Sequence, residues 1–405
     1  MKKSLKKVIG INALICVLTI PAVAAADWSI NTVNTPQLTE NITDYSLHVN
    51  DSNQIAGYVS NLFVNSRDEI EGELKSFITG SNGAGITEIT TSIPGVRDSV
   101  RAINNLGKVA GDSNGRLFTS AIDGQVNILN IPLLNNRFVS PGDINNSGQL
   151  VGRAIIDSNF SAFTTGPNGV GVINLNQSDW RYSNATTIND SGQVAGWFQS
   201  STAIGDYLVM GHAFITGPNA VGITDIGTLY GRNYSQALDI NESGQAIGIY
   251  FNKVDSSGPS NNAFITGPNG SDMTALGTLG GRFAKPTSIN DAGQVVGWAQ
   301  TADGHTHGFI YTNGGMIDLN LLDAVVSAGW TDIFPTDINN NGLIVGSGLL
   351  HGQRAPFMLH FTNDTQFTPN PIFLPVPEPS IYMMLLAGLG LLGFVSKRHV
   401  NKKFI

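Results

Sequence analysis

The sequence predicts an all-β protein, a seven-bladed β-propeller, from its composition, a sevenfold repeat and the strand pattern inside each repeat. The 405 residues include 47 Gly but only 22 Lys and Arg and 30 Asp and Glu, and Asn, Ser and Thr are abundant. Turn formers in such number, with few Lys/Glu-rich stretches, favour short strands joined by turns over helices.

The repeat carries most of the information. The segment Ile289-Asn290-Asp291-Ala292-Gly293-Gln294-Val295-Val296-Gly297 recurs at 188–196, 240–248, 144–152, 103–111 and 338–346, and a weaker copy stands at 49–57. With its Asn as marker, the copies fall at Asn50, Asn104, Asn145, Asn189, Asn241, Asn290 and Asn339, seven units spaced by 41 to 54 residues. That spacing matches propeller blades of roughly 40–50 residues.

Each unit reads as about four short strands. Asn-x-x-Gly puts Asx at the first and Gly at the fourth position of a type I turn, and the Gly can take positive φ and form a bulge. The Ile-Asn strand before the turn and the Gln-Val-Val-Gly strand after it are two. A third surrounds Phe214, in His212-Ala213-Phe214-Ile215-Thr216-Gly217-Pro218-Asn219, with relatives at Phe77, Phe118, Phe163, Phe264, Phe309 and Phe357. The fourth is an alternating apolar run, as in 223–229 and 274–279, with similar runs near Ile86, Val126, Ile173 and Ile317.

No such run follows Phe357. Trp28-Ser29-Ile30-Asn31-Thr32-Val33 can supply the missing strand, complete the last blade and leave no open sheet edge. The expected propeller spans 27–362. A β-solenoid is the alternative, although its rungs are usually shorter and more regular.

The two ends specify an address. Lys2, Lys3, Lys6 and Lys7, an apolar run at 8–20, Pro21 and the small residues at 22–26 make a secretory signal peptide, residues 1–26, for the Sec export machinery. Cleavage after Ala26 or Ala24 fits. Cys16 lies in that run behind Ile15, which disfavours lipidation, so the exported part holds no cysteine for disulfides or thiolate metal sites.

After a linker at 363–376 come Pro377, Glu378 and Pro379, an apolar stretch at 381–395, and the basic residues Lys397, Arg398, Lys402 and Lys403. The stretch is expected as one C-terminal transmembrane helix, short at 1.5 Å per residue for a hydrocarbon core of about 30 Å. The basic cluster should stay cytoplasmic and the body outside.

Pro-Glu-Pro, a short helix and a basic terminus together resemble the PEP-CTERM sorting signal, here residues 377–405. The resemblance implies an exosortase as partner, with Pro377, Glu378 and Pro379 as recognition motif and Lys397 and Arg398 as membrane stop. It also implies a Gram-negative bacterium that makes biofilm matrix. The chain would be exported across the inner membrane, transiently anchored, then released to the cell surface or beyond. The repeats resemble the HAF family of bacterial extracellular repeats, named for the tripeptide at His212-Ala213-Phe214; that family brings no general activity.

Eight of the 22 basic residues lie in the two ends, leaving 14 against 30 acidic residues and a net charge near −16 for the exported part. Such a surface repels nucleic acid and anionic lipid.

Signals for chemistry are weak. Asp143-Ile144-Asn145 and Asp337-Ile338-Asn339 begin like calcium loops, making Asp143, Asn145, Asp337 and Asn339 candidate Ca²⁺ ligands, but Ala154 and Gly348 stand where the bidentate carboxylate belongs. A turn is the simpler account. His305-Thr306-His307 has a metal-compatible spacing, yet His307 occupies the repeat position of His212. Trp180, Trp197, Trp298 and Trp330 suit either sugar stacking or blade packing. No Gly-x-Ser-x-Gly elbow, HExxH helix or phosphate loop occurs.

The expected function is a non-enzymatic surface or matrix protein, an interaction platform for exopolysaccharide without a required cofactor. The alternatives are a carbohydrate-active hydrolase or lyase on the same fold and a calcium-stabilised adhesin.

Overall fold

A computed structural model describes residues 28–361, apart from 39–41, 92–96, 130, 132–137, 201–210, 232–233 and 256–257. The expected signal peptide and linker, and the sorting segment with its expected transmembrane helix, lie outside the described residues. Among the described residues no helix is long and apolar enough to cross a membrane.

Seven four-stranded antiparallel sheets follow one another along the chain. Their first strands are Asp44–Val49, Asp98–Ile103, Val139–Ile144, Trp180–Ile188, Ser235–Ile240, Gly280–Ile289 and Trp330–Ile338, each leading into a repeat Asn. These strands line a central channel, and the other three strands of each blade stack outward by hairpin connections. The propeller is therefore the observed architecture, not the solenoid.

Closure is circular. In the seventh blade the fourth strand is Trp28–Thr32, paired antiparallel with Gln353–Phe361 in the register Trp28↔Phe361 to Thr32↔Phe357. Trp28 and Ile30 pack against the core between the last two blades, which includes Trp330, Ile333 and Phe357. The first and last described strands are thus held in one sheet, which closes the ring.

Two repeat residues explain why the unit tolerates so little variation. The second Gly stands opposite the Phe in every blade, from Gly57↔Phe77 through Gly346↔Phe357. All seven Phe side chains are completely buried. A Cβ on Gly248 would lie 1.9 Å from the carbonyl oxygen of Gln236 on the channel strand and 2.7 Å from the Phe264 ring. Only Gly lets the two strands and the ring meet so closely.

The apolar cores lie between blades. One joins Val151 and Ala162 of the third blade to Trp180, Ala185, Phe198 and Phe214 of the fourth. Another joins Leu343 and Val345 of the seventh to Tyr45, Leu47 and Phe77 of the first. Burial therefore rewards completing the ring rather than any single blade.

Some segments depart from the repeat. A two-stranded hairpin of exposed residues, Phe63–Val64 with Ile70–Glu71, is inserted in the first blade and lengthens its unit. A five-residue helix, Asp323–Ser327, buries Val325 beside the seventh blade. The sequence pattern indicated neither.

Candidate functional site

The repeat turns gather at one mouth of the channel, whose cavity measures about 390 Å³. Each turn has the expected geometry. The fourth residue is Gly in six blades, with φ between 72° and 77°, and Asn53 at 55° in the first. Backbone bonds close it both ways, as in Gly192 N–H to Asn189 O (3.0 Å) and Asn189 N–H to Gln193 O (3.0 Å).

The marker asparagines do more than start turns. Each Nδ2 donates to the backbone carbonyl of the Asn in the next blade: Asn50 to Asn104 (2.9 Å), Asn104 to Asn145 (2.9 Å), Asn145 to Asn189 (3.1 Å) and Asn189 to Asn241 (3.1 Å). Asn241 continues to Asn290 (3.2 Å), Asn290 to Asn339 (3.1 Å), and Asn339 returns to Asn50 (2.8 Å). The seven residues, all at most 5% exposed, form a closed ring of hydrogen bonds.

Each amide is also anchored in its own turn. The Asn189 Oδ1 accepts from Gln193 N–H (2.9 Å), and its Nδ2 also donates to Gln193 Oε1 (2.9 Å). Five blades use Gln for this second contact. In the seventh blade Leu343 replaces Gln, and Asn339 Nδ2 turns instead to Asn53 Oδ1 (2.7 Å). Asn is required because only an amide donates and accepts in this geometry.

A second ring runs outside the first. The backbone N–H after each Asn donates to the side chain after the next Asn: Asp51 to Asn105, Asn105 to Asn146, Asn146 to Asp190 and Asp190 to Glu242. Glu242 then donates to Asp291, Asp291 to Asn340, and Asn340 to Asp51. Sequence reasoning missed this ring. Its signal was present, since every residue after the marker is Asp, Asn or Glu.

Inside the mouth, carboxylates on the third, fifth and seventh blades each tie to the next blade. Asp143 Oδ2 accepts from Ile188 N–H (3.1 Å), Asp239 Oδ2 from Ile289 N–H (2.9 Å), and Asp337 Oδ2 from Val49 N–H (2.9 Å). The Thr187 hydroxyl lies 3.1 Å from Asp143 and 3.0 Å from Asp239, and Ser288 donates to Asp337 (2.7 Å). One hydroxyl carries one proton, so both Thr187 contacts are satisfied together only when one of the two carboxyls is protonated.

Their titration agrees with that arrangement. Burial, opposed by the backbone N–H donors and helped by the charge of Asp239, pushes Asp143 and Asp337 up to about 7. Burial raises Asp239 as well. His48, at the equivalent place in the first blade, is pushed down to about 4 by burial and by the charge of Arg101.

The residues considered for calcium are committed elsewhere. Asp143 and Asp337 reach the neighbouring blade, while Asn145 Oδ1 accepts from Gln149 N–H and Asn339 Oδ1 from Leu343 N–H. The turn reading describes them. Among the described residues no group of three or more His, Cys, Asp or Glu is placed to hold a metal ion.

Other candidates resolve into structure. His212 Nδ1 lies 2.8 Å from Asp225 Oδ2, and His307 Nδ1 lies 2.7 Å from Asp318 Oδ2. The repeat His therefore joins the third strand to the fourth in both blades. Trp180 stacks on Phe198 at 4.1 Å and Trp330 meets Phe357 edge-on at 5.8 Å, both inside cores. Trp197 and Trp298 are half-buried. The motif residues Pro377, Glu378 and Pro379, and Lys397 and Arg398, fall outside the described residues.

Comparison with known proteins supplies the address. Residues 375–398 match the PEP-CTERM protein-sorting motif. That motif implies export to the cell envelope or surface of a Gram-negative bacterium and processing by an exosortase. No curated protein matches the chain.

Several solved structures are similar to the chain at low identity. TolB from Acinetobacter baumannii is 14% identical, over 64% of this chain and 62% of that one, with a TM-score of 0.42. Virginiamycin B lyase from Staphylococcus aureus is 10% identical, over 83% of this chain and 100% of that one, at 0.49. YCF48, solved with D1 peptide bound, is 14% identical, over 85% and 100%, at 0.48. Likenesses of this order bear on neither substrate nor mechanism.

Proposed function

We propose that the chain is an exported, non-enzymatic interaction platform of the cell surface or extracellular matrix, built from HAF-type repeats and directed at exopolysaccharide. The observation that carries this reading is the use made of the polar groups at the channel mouth. Asp143, Asp239 and Asp337, the acids a hydrolase would draw on there, are each engaged by backbone N–H groups of the next blade. The marker amides are likewise spent on one another. A channel so occupied holds the blades in place and leaves recognition to the outer surfaces.

The sorting motif supports the same reading, because it directs the body to the compartment where matrix polysaccharide accumulates. A glycan array probed with the full-length chain tests it, read for retained protein and for released products. Retention with intact glycan is the expected result. New reducing ends or unsaturated products would overturn the non-enzymatic part, and retention on no glycan would overturn the ligand class.

A further inference from the structure

The face opposite the asparagine ring carries a second cavity beside the channel. Between the second and third blades it holds a cleft of about 790 Å³, lined by Arg101, Asp112, Asn114, Arg116, Phe138 and Ser140. That is within the usual range for ligand pockets. Arg101 is the bulged residue of Asp98–Ile103, Asp112 lies in Val109–Ser113, Arg116 begins Arg116–Ser120, and Phe138 immediately precedes Val139–Ile144.

A third guanidinium stands behind the wall. Arg153 is paired in register with Ser140, and its Cζ lies 5.6 Å from the Phe138 ring centre and 5.0 Å from that of Phe160. Phe138 and Phe160 meet edge-on at 5.7 Å. The Arg153 Nε is buried without a hydrogen-bond partner. Buried donors without partners are uncommon, and each is an unused capacity to bind an acceptor.

The lining itself carries two arginines, Arg101 and Arg116, and one carboxylate, Asp112, whose Oδ1 lies 3.6 Å from Arg101 Nε, with Asp98 near enough to act on that carboxyl. Two arginines in one lining stand out in an exported part that contains only 14 basic residues. Phe138 is 47% exposed beside them. An aromatic face next to guanidinium forks suits a ring that presents C–H groups on one side and carries a carboxylate: the ring stacks, and the carboxylate takes a bidentate pair.

We propose that this cleft binds a segment of acidic glycan, a chain bearing uronate carboxylates. The proposal rests on the platform reading and names the ligand class for it. Arg101 also lines the channel, so the cleft opens beside the channel's far end and a polymer can lie across the face without threading the ring.

The test is calorimetric titration of the full-length chain with a β-1,4-linked glucuronate trimer, with cellotriose as its neutral counterpart, and with inorganic phosphate. The acid trimer should bind at least about tenfold more tightly than cellotriose, as loss of a charge-assisted pair implies, and more weakly as salt rises. Arg116→Gln should weaken it by about tenfold with unchanged melting temperature, and Phe138→Ala should weaken it too.

Equal affinity for the two trimers, phosphate binding as tight as the trimer's, or an unaffected Arg116→Gln variant would each overturn the proposal. Binding of neutral glycans alone would sink this site while leaving the platform reading standing. Cleavage of the acid trimer in a reaction sensitive to Arg116→Gln would support the site and overturn the platform reading.

Discussion

Replacing Asn290 with alanine should destabilise the protein by roughly 2–6 kcal/mol, although the side chain contacts no expected ligand. The amide makes three bonds: Nδ2 to Asn339 O (3.1 Å), Nδ2 to Gln294 Oε1 (2.8 Å), and Oδ1 from Gln294 N–H (3.0 Å). Gln294 is only half-buried, so its side chain can turn to water. The Asn339 carbonyl and the Gln294 N–H are stranded, and an orphaned buried polar group costs about 1–3 kcal/mol. Asn290→Asp sharpens the test. It keeps the acceptor but points a carboxylate oxygen at the Asn339 carbonyl, so at pH 7 it should be worse than alanine and recover in acid. Denaturant unfolding of both variants measures the losses, with Asp291→Ala as an exposed control expected to cost less than about 1 kcal/mol. A loss below about 1 kcal/mol for Asn290→Ala, or an Asp variant no worse than alanine at pH 7, would refute the idea that the ring fastens the blades.

Other perturbations test other links. Asp143 and Asp337 sit at about 7 against an ordinary 3.8, so between those limits the folded state binds protons that the unfolded chain does not. Their stabilisation is complete below about pH 4 and lost as pH rises to 7. His48, held at about 4 against 6.5, works the other way, its contribution being lost as pH falls from 6.5 to 4. The carboxyls outnumber it, so thermal melts should show stability falling from pH 5 to 7 by about 1.4 kcal/mol per pH unit per net proton; a rise across that window contradicts the burial argument. Deleting Trp28–Thr32 exposes the edge of Gln353–Phe361 and should yield a less stable, aggregating protein by light scattering, whereas an unchanged melt would deny the closure. Gly248→Ala forces the Gln236 carbonyl and the Phe264 ring apart, and a cost below about 1 kcal/mol in denaturant unfolding would show that the close approach is not needed. Substituting alanine for Pro377, Glu378 and Pro379 together should accumulate unprocessed chain in the membrane fraction, seen as a larger species on immunoblots.

The architecture was legible because its determinants are local and repeated. Asn189 to Gly196 contains a turn, a positive-φ position and a close-approach Gly, and seven copies at blade spacing implied the ring. Closure followed from a deficit: six fourth strands were visible, and Trp28–Thr32 supplied the seventh. The partners across blades were not legible, because the bond from Asn50 to Asn104 spans 54 residues and has no local signature. For the same reason Asp143 and Asp337 resembled the start of calcium loops, because the N–H donors that their carboxylates accept from, at Ile188 and Val49, lie on the next blade. The cleft was hidden because Arg101, Arg116 and Arg153 come from separate strands with no shared motif. The insert Phe63–Glu71 lengthens the spacing from Asn50 to Asn104 to 54 residues, but nothing in its residues repeats a landmark that would mark a hairpin.

The central claim is that the channel's polar groups hold the blades and do not act on ligand, and Asp143→Asn and Asp337→Asn test it directly. Each variant should be assayed for melting temperature and for retention of glycan by the full-length chain. Shifted melting, altered pH dependence and glycan retention unchanged within about twofold are expected, since Asn removes the titrating carboxyl beside the backbone donors at Ile188 and Val49 while the outer surfaces do not change. Lost glycan binding or lost turnover at an unchanged melting temperature would contradict it and place the functional chemistry in the channel.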